Sequence, residues 1–159
     1  MSYIERLRQY VGHQRLISPA VRAIIRDAEG QILWQQRGDT GKWGLPAGGV
    51  ELDESVREAL RREIFEETGL TVVRAVPFGI YSDPRYSHAY LNGDEVQPFT
   101  LAFHVEEWTG TLVADGQESL QLAFFAPDQL PPAEQLHPPH RRTAQDFLQF
   151  LATGQFIVD

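Results

Sequence analysis

The sequence of 159 residues predicts a mixed α/β fold in which a β-sheet lies between helices. A capped helical pattern runs over residues 55–69, apolar and β-branched runs flank it, and a second helical pattern closes the chain. The length suits a single domain, residues 1–159, with enough chain to bury a core.

At the N-terminus, Ser2 with Glu5 forms a capping-box pattern, and Ile4, Leu7 and Val11 share one helical face. This helical extension over 1–17 is expected to pack on the domain or on a second copy of the chain, giving a homodimer. His13 follows without a partner at ligand spacing and reads as structural or surface. Residues Ser18 to Arg26 are apolar and β-branched, Asp27 to Gly30 make a turn, and Gln31 to Gln36 read as the returning strand of a hairpin. Arg37 ends that strand, a loop spans Gly38 to Gly41, and the small residues of Trp43 to Gly49 let the backbone approach a ligand closely.

The central helix opens on a second capping box, Ser55 with Glu58, and stops at Gly69. Beyond it, Thr71 to Tyr81 reads as a strand interrupted near Pro77, and Ser82 to His88 as a polar loop. Ala89 to Tyr90 and Phe99 to Glu106 flank the turn dipeptide Asn92-Gly93, with Leu101, Phe103 and Val105 marking one buried face. Trp108 to Gly110 is expected to turn the chain, Ser119 to Ala126 to form a late strand, and Asp128 to Pro132 to break regular structure. The C-terminal helix is expected over 138–154, with Ala144, Phe147, Leu148 and Leu151 at helical spacing and Gly154 as its stop.

The central helix carries a conflict. At about 100° per residue, Val56, Ala59 and Leu60 share a face, and Glu63 and Glu67 continue it with Glu66 to one side. Burying an unpaired carboxylate costs several kcal/mol, against a net stability of about 5–15 kcal/mol for a whole domain. These acids must therefore face a water-filled cleft, meet basic side chains, or hold a cation.

Composition removes several functions. The chain has no cysteine, which excludes disulfides and thiol catalysis. A net charge of −8 argues against a broad polynucleotide-binding surface, though not against a small phosphorylated substrate bridged by cations. No apolar run approaches membrane-spanning length and the N-terminus is amphipathic, so a cytoplasmic location away from membranes is the expectation.

Gly48, five residues, Glu54, seven residues, then Arg62-Glu63-Ile64-Phe65-Glu66-Glu67-Thr68-Gly69-Leu70 resembles the signature of the Nudix hydrolases without a substitution. The resemblance is clearest from Val21 to Leu130 and implies an α/β/α sandwich with a mixed sheet. It implies Mg²⁺, with Mn²⁺ as the alternative, held by Glu63, Glu66, Glu67 and the carbonyl of Ala47. Arg62 would position the carboxylates and Glu54 would support the loop–helix junction. Family members differ in the general base, which here is either Glu63 or a distant glutamate. Glu118 is the first candidate for the latter, with Glu95, Glu106 and Glu107 behind it.

Arg22 and Arg37 are the basic residues placed nearest the phosphates, and Tyr81, Tyr86 and Phe78 the aromatics that could stack a base. Pro84, 15 residues beyond Gly69, resembles a feature of ADP-ribose-cleaving relatives. The implied activity is cleavage of a diphosphate linkage in a nucleoside triphosphate, nucleotide sugar, ADP-ribose or dinucleoside polyphosphate. The alternatives are a Nudix-fold sensor that binds without cleaving, and an RNA-decapping role, for which no basic extension is evident. The isopentenyl diphosphate isomerases share the fold, but the family resemblance there includes a cysteine that this chain lacks.

Overall fold

The computed structural model describes residues 1–159. Helix α1 spans Tyr3–Val11, followed by β1 (Leu16–Ile25), β2 (Ile32–Arg37), β3 (Trp43–Gly44) and β4 (Ala47–Gly49). Helix α2 (Val56–Thr68) leads into β5 (Leu70–Tyr81), β6 (His88–Ala89), β7 (Glu95–Gly110) and β8 (Ser119–Phe125). Helix α3 (Pro138–Thr153) and the short β9 (Ile157–Val158) complete the chain. No helix is long and apolar enough to cross a membrane.

The main sheet has the order β4-β1-β7-β5-β9, with β6 added to β7. It is mixed: β1 runs parallel to β7, while β5 and β4 pair antiparallel with β7 and β1. Strand β7 is the middle of this sheet, and that position corrects the expectation of one buried face. Phe103 and Val105 enter the cluster packed against α2, whereas Ala102 enters the opposite cluster with Phe147 of α3. A strand covered by a helix layer on each side is apolar on both faces. The strand also begins at Glu95, where β6 and β1 pair with it, and continues through Trp108 to Gly110, where a turn was expected, because β5 pairs with it from Thr100 to Gly110.

The expected hairpin of β1 and β2 is present only as a connection. Asp27 and Gly30 close the turn, but a lone bridge, Arg26 to Ile32, joins the two strands. Beyond it they part into different sheets, β2 pairing with β3 and β8. Ile32, Leu33, Trp34 and Gln35 are all buried in succession, so this part of β2 has no solvent face and forms the middle of a second, three-stranded sheet.

Both capping boxes form, Ser2 with Glu5 and Ser55 with Glu58, each closing two backbone donors reciprocally. Gly69 ends α2 at φ 74°, a left-handed conformation that a Cβ would strain. Pro77 sits at a register shift between Pro77 and Gly79, the expected interruption of β5. On α3 the buried residues are His140, Thr143, Ala144, Asp146 and Phe147; Leu148 and Leu151 are 41% and 44% exposed, so helical spacing alone chose the wrong edge of the stripe. Strand β9, too short to carry a pattern, lies parallel to β5 at the sheet edge.

Candidate active site

Helix α2 delivers its acids against β4. Ala59, Leu60 and Ile64 sink into the core and fix the rotation of the helix. Glu63 and Glu67 are thereby forced inward, at 9% and 4% exposure, while Glu66 stays in solvent. One guanidinium serves three of the neighbouring carboxylates. Arg62 donates from Nε and Nη2 to both oxygens of Glu54 (3.1 and 2.6 Å) and from Nη1 to Glu63 (2.6 Å) and Glu66 (3.3 Å). Its Nη2 also donates to the carbonyl of Gly49 at 2.9 Å, which ties the loop to the helix.

Glu67 receives no arginine. Its Oε2 accepts from the Ala47 N–H at 2.9 Å, and the buried amide of Gln35 lies beside it with Nε2 lacking a hydrogen-bond partner. Burial pushes the Glu67 carboxyl up to about 8, and the Glu63 charge adds to this. Glu63 is also raised by burial, opposed by Arg62 and reinforced by the charges of Glu66 and Glu118. Gly48 makes the close approach possible: a Cβ there would lie 1.9 Å from the carboxyl carbon of Glu63.

On the other face of β4 and β1 opens a cavity of about 610 Å³, bordered by Ala47, Gly48 and Gly49. Arg22 lines it, only 6% exposed, bonded to Thr143 Oγ1 (2.7 Å) and the Pro139 carbonyl (3.4 Å) and to no carboxylate. Burial without a counter-ion lowers this guanidinium to about 10. Arg37 also lines the cavity, but Asp39 grips it through Nε (3.0 Å) and Nη2 (2.8 Å). His140 accepts the Leu45 N–H on Nδ1 at 2.8 Å, so its neutral ring carries the proton on Nε2. Burial holds His140 well below the usual histidine range and His137 down to about 4, both helped by Arg22 and Arg37.

A NUDIX domain family model matches residues 16–147. The chain belongs to the Nudix family. Over 108 residues it is 34% identical to a protein of Bacillus subtilis (strain 168) provisionally named an 8-oxo-dGTP diphosphatase, a match covering 68% of this chain and 66% of that one. Over 53 residues it is 42% identical to an RNA pyrophosphohydrolase of Pasteurella multocida (strain Pm70), covering 33% of this chain and 27% of that relative. The chain thus spans less than two thirds of the length of either curated relative. Among solved structures, a MutT NUDIX hydrolase from Burkholderia pseudomallei superposes with a TM-score of 0.68 at 27% identity, covering 82% of this chain and 97% of that one.

The fold therefore brings Glu54, Arg62, Glu63, Glu66, Glu67 and Ala47 together, and places Arg22, Arg37 and Tyr86 on the adjoining cavity. Two of the aromatics proposed to stack a base lie elsewhere. Tyr81 is 4% exposed and Phe78 fully buried, both in the core cluster around Phe147, because β5 turns those positions toward α3. Glu118 is exposed and without an ion-pair partner, its backbone carbonyl bonded to the Gly38 N–H and its charge felt by Glu63. Glu95 pairs with Arg15, while Glu106 and Glu107 pair with Arg74, and none of the three lines the cavity. Pro84 opens a 3₁₀ turn outside the lining. His13 does have a partner, Asp94 at 2.7 Å, brought from 81 residues away. Sequence reading passed over Asp39, His137 and His140; the two histidines one helical turn apart beside Pro138-Pro139 were the available signal.

The chemistry of the donors fits a hard divalent cation: carboxylate oxygens, a backbone carbonyl, a raised and unpaired Glu67, and a glycine that keeps the space beside Glu63 open. No three acidic or imidazole side chains converge on one point in this conformation, since Arg62 draws Glu63 and Glu66 to itself.

Proposed function

We propose that this chain is a Mg²⁺-dependent hydrolase, with Mn²⁺ as the alternative ion, that cleaves a diphosphate linkage in a nucleoside diphosphate joined to a second group. The observation that carries the reading is a mismatch of charge. Three clustered carboxylates share one arginine and a fourth, Glu67, has none, while a buried arginine with no carboxylate lines the cavity next door. A polyphosphate satisfies Arg22 directly, and satisfies the glutamates through cations.

In this reading Arg22 and Arg37 hold phosphoryl oxygens, Tyr86 packs against the nucleoside, and Glu63, Glu66, Glu67 and the Ala47 carbonyl form the cation shell. A bound divalent cation would supply charge neutralisation and a more acidic water. Arg62 keeps Glu54 and Glu63 in register with the Gly49 loop. Water attacks phosphorus, the bridging P–O bond breaks toward the leaving phosphate, and the water's proton passes to a carboxylate, Glu63 or Glu118. Nucleoside triphosphates such as those named for the Bacillus relative, nucleotide sugars, ADP-ribose and dinucleoside polyphosphates all present this linkage. The net charge of −8 favours such small substrates over a polynucleotide.

Incubating the protein with a panel of these compounds and Mg²⁺ or Mn²⁺, with products identified by mass, tests the proposal. The expected products are a nucleoside monophosphate and the phosphorylated remainder. Tight binding without products would point to a sensor, and neither binding nor cleavage across the panel would refute the reading.

A further inference from the structure

The helix ahead of the Nudix domain is tied at both ends to walls of the site. Helix α1 precedes the matched residues 16–147 and has no fully buried side chain, so polar anchors rather than apolar packing hold it. At its start the Tyr3 N–H donates to Glu51 Oε2 at 2.6 Å. The Glu51 N–H in turn donates at 2.8 Å to Glu54, the carboxylate that grips Arg62.

At its other end Arg8 gathers three carbonyls. Nη1 donates to Gly12 (3.0 Å) and Gln14 (2.5 Å), and Nη2 to Glu95 at 2.6 Å across 87 residues of chain. Its Nε lies 3.5 Å from Asp94, and the side chain is only 10% exposed. His13 meets the same Asp94 at 2.7 Å, and Arg15 reaches the Glu95 carboxylate at 3.2 Å.

Asp94 and Glu95 close the hairpin that begins at β6. That hairpin has only two paired positions, His88 with Val96 and Ala89 with Glu95, and its tip residue Leu91 is fully exposed. So short a ribbon has little stability of its own. Yet His88, Ala89, Tyr90, Leu91 and Asn92 form one wall of the cavity.

We propose that Arg8 is a positioning residue that holds this hairpin in place as the outer wall of the substrate cavity, with α1 as the strap joining it to the Glu51–Glu54 loop. The proposal rests on reading the cavity as the substrate site. A planar guanidinium suits a fan of carbonyls that a single ammonium cannot cover, and a wall left loose must be ordered again by each incoming substrate.

The test uses the full chain carrying Arg8→Ala, Arg8→Lys or Tyr3→Pro. In Arg8→Ala the amides of Tyr90, Gly93 and Glu95 should exchange at least about tenfold faster, with α2 amides unchanged. The KM for the nucleotide identified in the substrate panel should rise by about tenfold while kcat stays within about twofold. Arg8→Lys should recover part of both effects. Proline is tolerated at the first helical position, so Tyr3→Pro removes the anchor to Glu51 while keeping the helix, and should raise KM less than Arg8→Ala. Unchanged hairpin exchange overturns the proposal, as does a fall in kcat at constant KM. If the wild type cleaves no nucleotide, the substrate reading fails, and hairpin exchange still decides the strap by itself.

Discussion

Replacing Glu67 by glutamine separates the cost of a buried carboxylate from its use. Glutamine keeps an oxygen for the Ala47 N–H but cannot ionise. In the metal-free protein the Glu67 carboxyl is raised from 4.5 to about 8 by burial. The folded state therefore holds a proton that the unfolded chain has released, and stability is full below pH 4.5 and falls as pH rises toward 8. At pH 7 the loss is about 3 kcal/mol, since each tenfold in proton affinity is about 1.4 kcal/mol. For a domain of this size that corresponds to roughly 10 °C in Tm.

In EDTA at pH 7, Glu67→Gln should consequently melt higher than the wild type, and the two curves should converge near pH 4.5. Millimolar Mg²⁺ should raise the wild type, because a ligand of the folded state stabilises it by mass action. It should leave the variant nearly unmoved and its Mg²⁺-dependent turnover down by orders of magnitude. Thermal unfolding monitored by circular dichroism from pH 4.5 to 8, with and without Mg²⁺, reads all of this. A variant that melts lower than the wild type in EDTA at pH 7, with the same pH slope, would refute the reasoning.

Gly48→Ala places a methyl group where the Glu63 carboxylate now lies, so that side chain must swing away. Turnover should drop by about 10²-fold or more with only a modest change in Tm, as expected when a positioned catalytic group is displaced; an unaffected rate would show that Glu63 need not stay there. Arg22→Met removes a buried cation that has no carboxylate partner. The ligand-free Tm should stay within a few degrees while KM rises by about 10–100-fold, the loss expected for a charged hydrogen bond to substrate. A large fall in Tm at constant KM would make Arg22 a structural residue. Glu118→Gln should slow turnover and remove one limb of the pH–rate profile if this exposed acid takes the proton. An unaltered profile assigns that role to Glu63.

Much of the scaffold was legible because its determinants are local. Ser2 with Glu5, Ser55 with Glu58, and the stop at Gly69 act through hydrogen bonds spanning three or four residues, and all form as the spacing implies. The inward position of Glu63 and Glu67 follows from helical geometry and the apolar residues one turn earlier. Partner choice was not legible in the same way. The turn at Asp27 to Gly30 is evident, yet whether β1 and β2 stay paired depends on β7 and β8, whose partner residues lie 80 to 93 positions further along.

The sequence alone determined the family, the carboxylate cluster and the helix ends, since each is written in residues a few positions apart. Only the tertiary structure decided that Tyr81 and Phe78 face the core, that His137 and His140 wall the cavity, and that Arg22 lies buried without a counter-charge. The physical reason is that burial and pairing belong to surfaces assembled from distant segments: what covers a strand face, or answers a charge, is chosen only when the sheets and helices pack.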